Sequence, residues 1–396
     1  MVAEPTVEVL RDPSGGRVAL AAAASMGPTA IDATTGAVWV LGFDEIDRLA
    51  HDPRMAGVGL TWFDLMGIDG ELRRWYGSLM FTNEGETHSR LRQLVSRAFT
   101  PRSVDQLRQH AASLVAEIFE GLESRGGGDL MVAFSRLAMR VMCRLLGVPE
   151  QDVVVFGTWA DALSPVFGFM DPEQINAAQS ALVELVEYLG LLVEKRHDDP
   201  SDDLITALLR AEEDGDHLRR DEVVTMVANL LVGGHDTTTS QIGCTLLTLM
   251  GHPDAVEQLR SSKAPVPAAV TETMRYEPSI GLIPRTVTAP LEIGGIIRPR
   301  GTPVLLSVMI GNRDPAVWQR PDSFEVDRFT GQSAPRLLSF GTGPHYCLGA
   351  NLARLTLEET VRGYLAYDVT ANGGLEDVEW RLVLGRSPVK LPVRMG

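Results

Sequence analysis

From about residue 104 to residue 260, apolar residues return every three or four positions. That period predicts a run of amphipathic helices over 104–124, 130–146, 151–163, 172–195, 203–212 and 221–250. No proline lies between Pro200 and Pro253, so the last of these can continue for about thirty residues, roughly 45 Å. The stretch from Ser164-Pro165 to Asp171-Pro172 separates two of the helices. Before residue 104 the pattern is shorter. Residues 37–41 predict a strand, 44–51 a helix ended by Asp52-Pro53, and 88–98 a helix stopping before Pro101. Between them, 57–85 has no clear period and holds Trp62, Phe63, Trp75, Tyr76 and Phe81 among glycines, which predicts a long connection of the kind that forms lids. Another helix is expected over 268–276. Beyond Pro278 come short strands at 292–297, 303–308, 382–384 and 389–393. The fold class is therefore mainly α with small β-sheets.

Nothing in the composition divides the chain. There is no Gly/Ser linker, charge block or internal repeat, and Gly126-Gly127-Gly128 reads as a loop between helices, so 1–396 is expected to be one domain. With 44% hydrophobic residues there is ample material for a core. The 36 basic and 52 acidic residues give a net charge of −16, which disfavours nucleic acid as a partner. The cysteines are Cys143, Cys244 and Cys347, odd in number and far apart, which excludes a disulfide framework or a cysteine-rich zinc site and suits a reducing cytoplasm. The alanine-rich run 18–25 is too short to span a bilayer, so no membrane anchor is expected.

One stretch carries distinctive chemistry: Phe340-Gly341-Thr342-Gly343-Pro344-His345-Tyr346-Cys347-Leu348-Gly349, followed by a helical run from Ala350. Its glycines and proline allow tight turns, and a cysteine just before a helix start sits where backbone N–H groups favour a thiolate. By itself Cys347 is open to three readings: a small buried hydrophobe, a nucleophile, or a metal ligand. The loop resembles the haem-binding signature of the cytochrome P450 family, Phe-Gly-x-Gly-x-His-x-Cys-x-Gly, with Phe340, Gly341, Gly343, His345, Cys347 and Gly349 all matching. The resemblance implies that Cys347 binds the iron of haem b (iron protoporphyrin IX) as a thiolate; the spacing alone would not say so.

Other segments extend the likeness from about Trp39 to Val393. Within 221–250 lies Gly233-Gly234-His235-Asp236-Thr237, where two interior glycines cost about 1 kcal/mol each relative to alanine. Thr237 is one turn beyond Gly233 and can bond its carbonyl, opening a groove with a hydroxyl beside a carboxylic acid. In the family this motif lies on the oxygen side of the haem, which implies proton delivery to dioxygen by Asp236 and Thr237. Glu272 and Arg275 share a helix face; in the family such a pair is buried and joined by a later arginine, best matched by Arg328, to brace the cysteine loop. His88, Arg92, Arg285 and His345 match the family's cationic contacts to the haem propionates, and arginine suits that task through its planar fork. Where the family commonly has an Asp-Pro-Pro run before this histidine, the chain has Asn83-Glu84-Gly85-Glu86.

The resemblance thus implies a haem-dependent monooxygenase with haem between the long oxygen-side helix and the cysteine-loop helix. One atom of O2 would enter a hydrophobic or aromatic small molecule, as in bacterial secondary metabolism. Electrons would come from a ferredoxin and its NAD(P)H-dependent reductase, docking where Arg92, Arg97, Arg102, Arg336 and Arg354 gather. A cytoplasmic monomer is expected. The alternatives are a peroxide-driven peroxygenase, a non-catalytic haem sensor, and a cysteine-nucleophile hydrolase. The substrate pocket is expected along 62–81, 165–170, 227–234, 279–283 and 384–387, with Asn229 and Arg386 as candidates to orient a polar group.

Overall fold

The computed structural model describes residues 4–9, 12, 16–168, 170–213, 215–331, 334–382 and 385–396, with the side chains of Trp62, Glu212 and Glu213 also outside the description. The helices that position the site are, in chain order, α1 (Gly70–Ser78), α2 (Gly85–Ala98), α3 (Leu137–Leu146), α4 (Val153–Leu163), α5 (Pro172–Asp198), α6 (Arg220–Met250), α7 (Val266–Tyr276) and α8 (Ala350–Ala366). Helix α6 is the axis of the molecule. It packs against α3, α4, α5, α7 and α8, and its buried Val227, Leu231, Ile242 and Leu246 belong to the main core. Its start is fixed by the Glu222 carboxylate, which accepts the Arg219 N–H at 2.8 Å. At α5 the Asp171 side chain accepts the Gln174 N–H at 2.8 Å, the Gln174 side chain returns the bond at 3.0 Å, and Pro172 opens the first turn.

Against this helical body stands a six-stranded sheet. Its strand order is Thr6–Val7, Thr29–Asp32, Val38–Val40, Pro303–Leu306, Ile283–Val287, Met55–Ala56. The strand Ile283–Val287 is paired on both sides, with Arg285 opposite Val304. The sheet contributes Val38, Val40, Met55, Val304 and Leu306 to a second, smaller core.

Several expected elements take different forms. The 104–124 helix is broken at Gln106 and Leu107, giving Pro101–Asp105 and Arg108–Glu123. The 130–146 helix likewise breaks at Ser135 and Arg136. The 57–85 connection is not irregular. It holds the helix Thr61–Met66, then α1 and the single 3-10 turn Met80–Thr82, organised by a Phe63–Tyr76 ring stack at 4.4 Å and by fully buried Leu72. Residues 292–297 form a hairpin turned at Gly294 and Gly295, both with positive φ, as a two-residue loop requires. After Pro303–Leu306 the chain enters the one-turn helix Val308–Gly311. At the C-terminus Trp380–Leu382 pairs with Arg386–Pro388, the final strand is Pro392–Met395, and the expected strand residue Leu384 lies outside the described residues. Among the described residues no helix is long and apolar enough to cross a membrane.

Candidate functional site

The cysteine loop is shaped by backbone geometry that only a few residue types permit. Gly341 and Gly343 have φ of 73° and 77°. A Cβ at Gly343 would come within 2.4 Å of the Ala50 carbonyl, so a larger residue is excluded there on two grounds. The Cys347 N–H closes the loop onto the Phe340 carbonyl at 2.9 Å, and α8 begins immediately after. The Arg354 guanidinium lies 4.5 Å over the Phe340 ring. Cys347 lines a cavity of about 460 Å3, so its surface is open to that space although protein packs around it. Burial pushes its thiol up; the Gly349 N–H, Arg92 and Arg354 pull the other way without overcoming it.

Four cationic or basic side chains line the cavity near this loop: His88, Arg92, Arg285 and His345. The His88 and His345 rings are 4.1 Å apart. Desolvation and the neighbouring His345 push His88 down to about 4, and its Nε2 is buried without a hydrogen-bond partner. Arg92 has no carboxylate partner among the described residues, and the only hydrogen bond of the Arg285 side chain is to the Pro284 carbonyl at 3.0 Å. Burial lowers both guanidinium groups from their ordinary range. His345 differs from the others, because its Nε2 lies 2.9 Å from the Glu84 carboxylate. Glu84 also accepts the Gly57 N–H at 2.7 Å. Burial pushes the Glu84 carboxyl up, but the contacts with His345 and Gly57 outweigh it and hold the group below the usual carboxylate range. Sequence reasoning met Glu84 only as a departure from a proline-rich pattern; its partners come from two distant segments.

Behind the loop, Glu272 and Arg275 are both 0% exposed and pair at 2.7 Å. Arg328 reaches the same carboxylate at 3.1 Å. Arg275 donates further to the carbonyls of Asn312, Pro321 and Ser323, and the Arg328 side chain to those of Gln319 and Ser323. The buried Asn312 then links this network to the loop: its side chain accepts the Leu338 N–H at 3.0 Å and donates to Ser339 Oγ at 2.8 Å. Ser339 in turn donates to the Met274 carbonyl on α7.

Another wall of the cavity is α6. Thr237 lines the cavity and donates to the Gly233 carbonyl at 2.8 Å, yet the helix stays continuous through both glycines. A Cβ at Gly233 would meet nothing within 4 Å, whereas one at Gly234 would come within 2.7 Å of Met142. Asp236 corrects the expected arrangement. It does not line the cavity; it accepts hydrogen bonds from Arg381 Nη2 at 3.1 Å and the Gly385 N–H at 3.3 Å. One residue of helix turns a side chain by about 100°, so neighbours in sequence face different ways.

Much of the expected pocket is present: Tyr76, Phe81, Phe167, Asn229, Leu230 and Ile280 all line the cavity. Of the other expected positions, the Trp62 side chain, Phe169 and Leu384 fall outside the described residues. Arg386 is not available to a ligand. It is buried in an ion pair with Glu277, which also binds Arg17 at 2.9 Å, and stacks over Trp380 at 3.5 Å. Met142, Thr238 and Gln241 line the cavity unforeseen, and only helical periodicity on α6 could have pointed to the last two. Of the arginines expected to gather on the surface, Arg92 faces the cavity, Arg336 pairs with Asp47, and Arg97 and Arg102 are exposed.

These features fit haem. A thiol opens into the cavity, two arginines without carboxylate partners and a buried histidine nitrogen without a partner stand beside it, and open space lies against Gly233. Cations that lack counter-ions match a group bearing two carboxylates.

Comparison with known proteins gives a consistent result. A family model described as Cytochrome P450 matches residues 152–262 and 266–362. Cytochrome P450 107B1 of Saccharopolyspora erythraea is 35% identical over 367 residues, covering 89% of this chain and 88% of that protein. The 6-deoxyerythronolide B hydroxylase of the same organism is 34% identical over 369 residues, covering 90% and 89%. Among solved structures, that of CalO2 superposes with a TM-score of 0.90 at 26% identity, covering 98% of this chain and 99% of that one.

Proposed function

The chain belongs to the cytochrome P450 family and is a haem-thiolate monooxygenase, and from that premise we propose that Cys347 would hold the iron of haem b through its thiolate and that 1–396 works as one domain on a small organic substrate. The observation that carries this reading is the cavity itself, with Cys347 opening into it and His88, Arg92, Arg285 and, from α6, Thr237 sharing its wall. Bound haem would supply the activation of O2, by which one oxygen atom enters the substrate and the other leaves as water while two electrons are consumed.

The protein's own groups have separate tasks. Arg92 and Arg285 would hold the propionates of bound haem, with His88 offering its unpartnered Nε2. His345 is committed to Glu84 through Nε2, so Nδ1 is the nitrogen left for a propionate. Glu272, Arg275 and Arg328 fix the loop from behind. Thr237 holds a proton at Oγ1 beside the reacting space, and Asp236, held by Arg381 and Gly385, replenishes it from the side away from the cavity. This pair favours an O2-driven reaction over a peroxide-driven one, since peroxide already carries the protons.

One relative is named for hydroxylating 6-deoxyerythronolide B, and we place this chain by likeness among bacterial hydroxylases of secondary metabolism. It acts as a cytoplasmic monomer, and its electrons come from a ferredoxin and an NAD(P)H-dependent reductase. The test is the spectrum of the purified protein, reduced and exposed to carbon monoxide. The red-shifted thiolate band is expected, and its replacement by a histidine-type band, or no haem at all, would reject Cys347 ligation.

A further inference from the structure

The cavity sorts its polar groups by charge. His88, Arg92, Arg285 and His345 line it at the cysteine end: His345 is two residues from Cys347 and stacks on His88, Arg92 acts on the Cys347 thiol, and Arg285 is coupled to Glu84 beside His345. No other lysine, arginine or histidine lines the cavity among the described residues, and neither does any aspartate or glutamate. A substrate bound away from the cysteine end therefore meets neither sign of charge, and burying an ionised group there would go uncompensated.

The neutral polar side chains on the wall also divide. Thr82, Thr237, Gln241, Ser279, Ser339 and Thr356 spend their hydrogen bonds within the protein, on Tyr76, Gly233, Glu277, Thr237, Met274 and Leu352 carbonyls respectively. Three do not: Tyr76, Asn229 and Thr238 have no side-chain hydrogen bond among the described residues. Asn229 lies one turn before Gly233 and two before Thr237, about 12 Å along α6 from the latter. Asn229 and Thr238 are about 180° apart around the helix axis, so they mark the two edges of its cavity face. Tyr76 faces the cavity from α1, among Phe63, Phe81 and Phe167. Desolvation pushes its hydroxyl up to about 12, which keeps it a neutral donor at physiological pH.

We propose that this enzyme selects uncharged, largely apolar substrates that carry hydrogen-bonding oxygen, with the Asn229 amide and the Tyr76 hydroxyl as its specificity-determining contacts. The argument rests on the family reading only for which end of the cavity holds haem. An amide offers both donors and an acceptor, and a phenol adds a donor, so a carbonyl, ester or hydroxyl is satisfied where a hydrocarbon leaves them bare.

The experiment uses haem-loaded protein and three probes of matched length: undecane, methyl decanoate and decanoate. Binding is followed by the shift of the Soret band as the haem water is displaced. Methyl decanoate is expected to bind at least ten-fold more tightly than either of the others. In Asn229→Leu and in Tyr76→Phe its advantage over undecane should shrink by three-fold or more. Decanoate binding most tightly, an ester-to-alkane ratio unmoved by both variants, or no response to the ester overturns the proposal. The carbon monoxide band is recorded on every sample. Its absence would condemn the haem-thiolate reading, whereas its presence with the wrong probe ranking condemns the specificity assignment alone.

Discussion

Arg381 donates to the Asp236 carboxylate at 3.1 Å, across from the C-terminal hairpin to the middle of α6. Arg381 is itself held by Ser387 Oγ at 2.9 Å and keeps more than a third of its side chain exposed, so it joins the acid to the surface. Replacing it by alanine leaves Asp236 with the Gly385 N–H alone. Product formed per NAD(P)H should fall severalfold in Arg381→Ala, with peroxide rising to match, while the carbon monoxide band persists. Thr237→Ala should show the same diversion of electrons. Unchanged coupling in the arginine variant would separate Arg381 from proton supply.

The network under the cysteine loop should be among the least tolerant places in the chain. Glu272→Gln removes the one carboxylate that Arg275 and Arg328 share, leaving two buried guanidinium groups without it. Breaking a buried ion pair from one side costs about 3–5 kcal/mol. A urea titration should show a midpoint lowered accordingly, together with reduced haem content. A conservative exposed control, Glu71→Gln, should leave both unaltered.

Acid should destabilise the haem-free protein through His88. Its folded pKa, about 4, lies below the ordinary histidine value of 6.5, so the contribution of the neutral ring is complete above 6.5 and is lost as pH falls toward 4. The Glu84 carboxyl, held low, loses its contribution over the carboxylate range further down. Because the His88 ring borders a space that water can enter, the effect is discounted to on the order of 1–2 kcal/mol. Melting curves at pH 7 and pH 5 should diverge more for the native chain than for His88→Gln.

Gly343→Ala should cost more than the usual price of a residue in the left-handed region. The strain of a positive φ, about 1 kcal/mol, adds to a Cβ forced to within 2.4 Å of the Ala50 carbonyl. The expected result is protein that folds but retains less haem, measured as the ratio of Soret to protein absorbance. Equal retention would mean that the loop can shift away from Ala50.

Local patterns carried a great deal. Cys347, the His88–Arg92 spacing and the Glu272–Arg275 pair lie in short segments whose spacing is preserved by the backbone, and the 3.6-residue period located α5 and α6. Two helix breaks escaped notice, at Gln106-Leu107 and at Ser135-Arg136, where no proline or glycine interrupts the pattern. In the 57–85 stretch the helices depend on packing among Phe63, Tyr76 and Phe167, which local propensity does not encode. What Asp236, Glu84 and Arg386 bind was not legible locally, because a partner of each lies more than a hundred residues away in the chain, and for Arg386 that partner removes it from the pocket.

The two walls of the cavity are built with unequal stiffness. Below, the cysteine loop is tied by directional bonds through Asn312, Ser339 and the Glu272 network. Above, Thr82 and Asn83 tie the backbone of 76–79, but the Tyr76, Phe81 and Phe167 side chains meet one another through ring contacts, at tilts and centroid separations of 5.5–6.3 Å that tolerate sliding. Ligands of different bulk would therefore be accommodated by the aromatic roof and not by the floor. The sulfur would then keep one position across substrates, with variation in what the enzyme accepts taken up by the part of the wall that can yield.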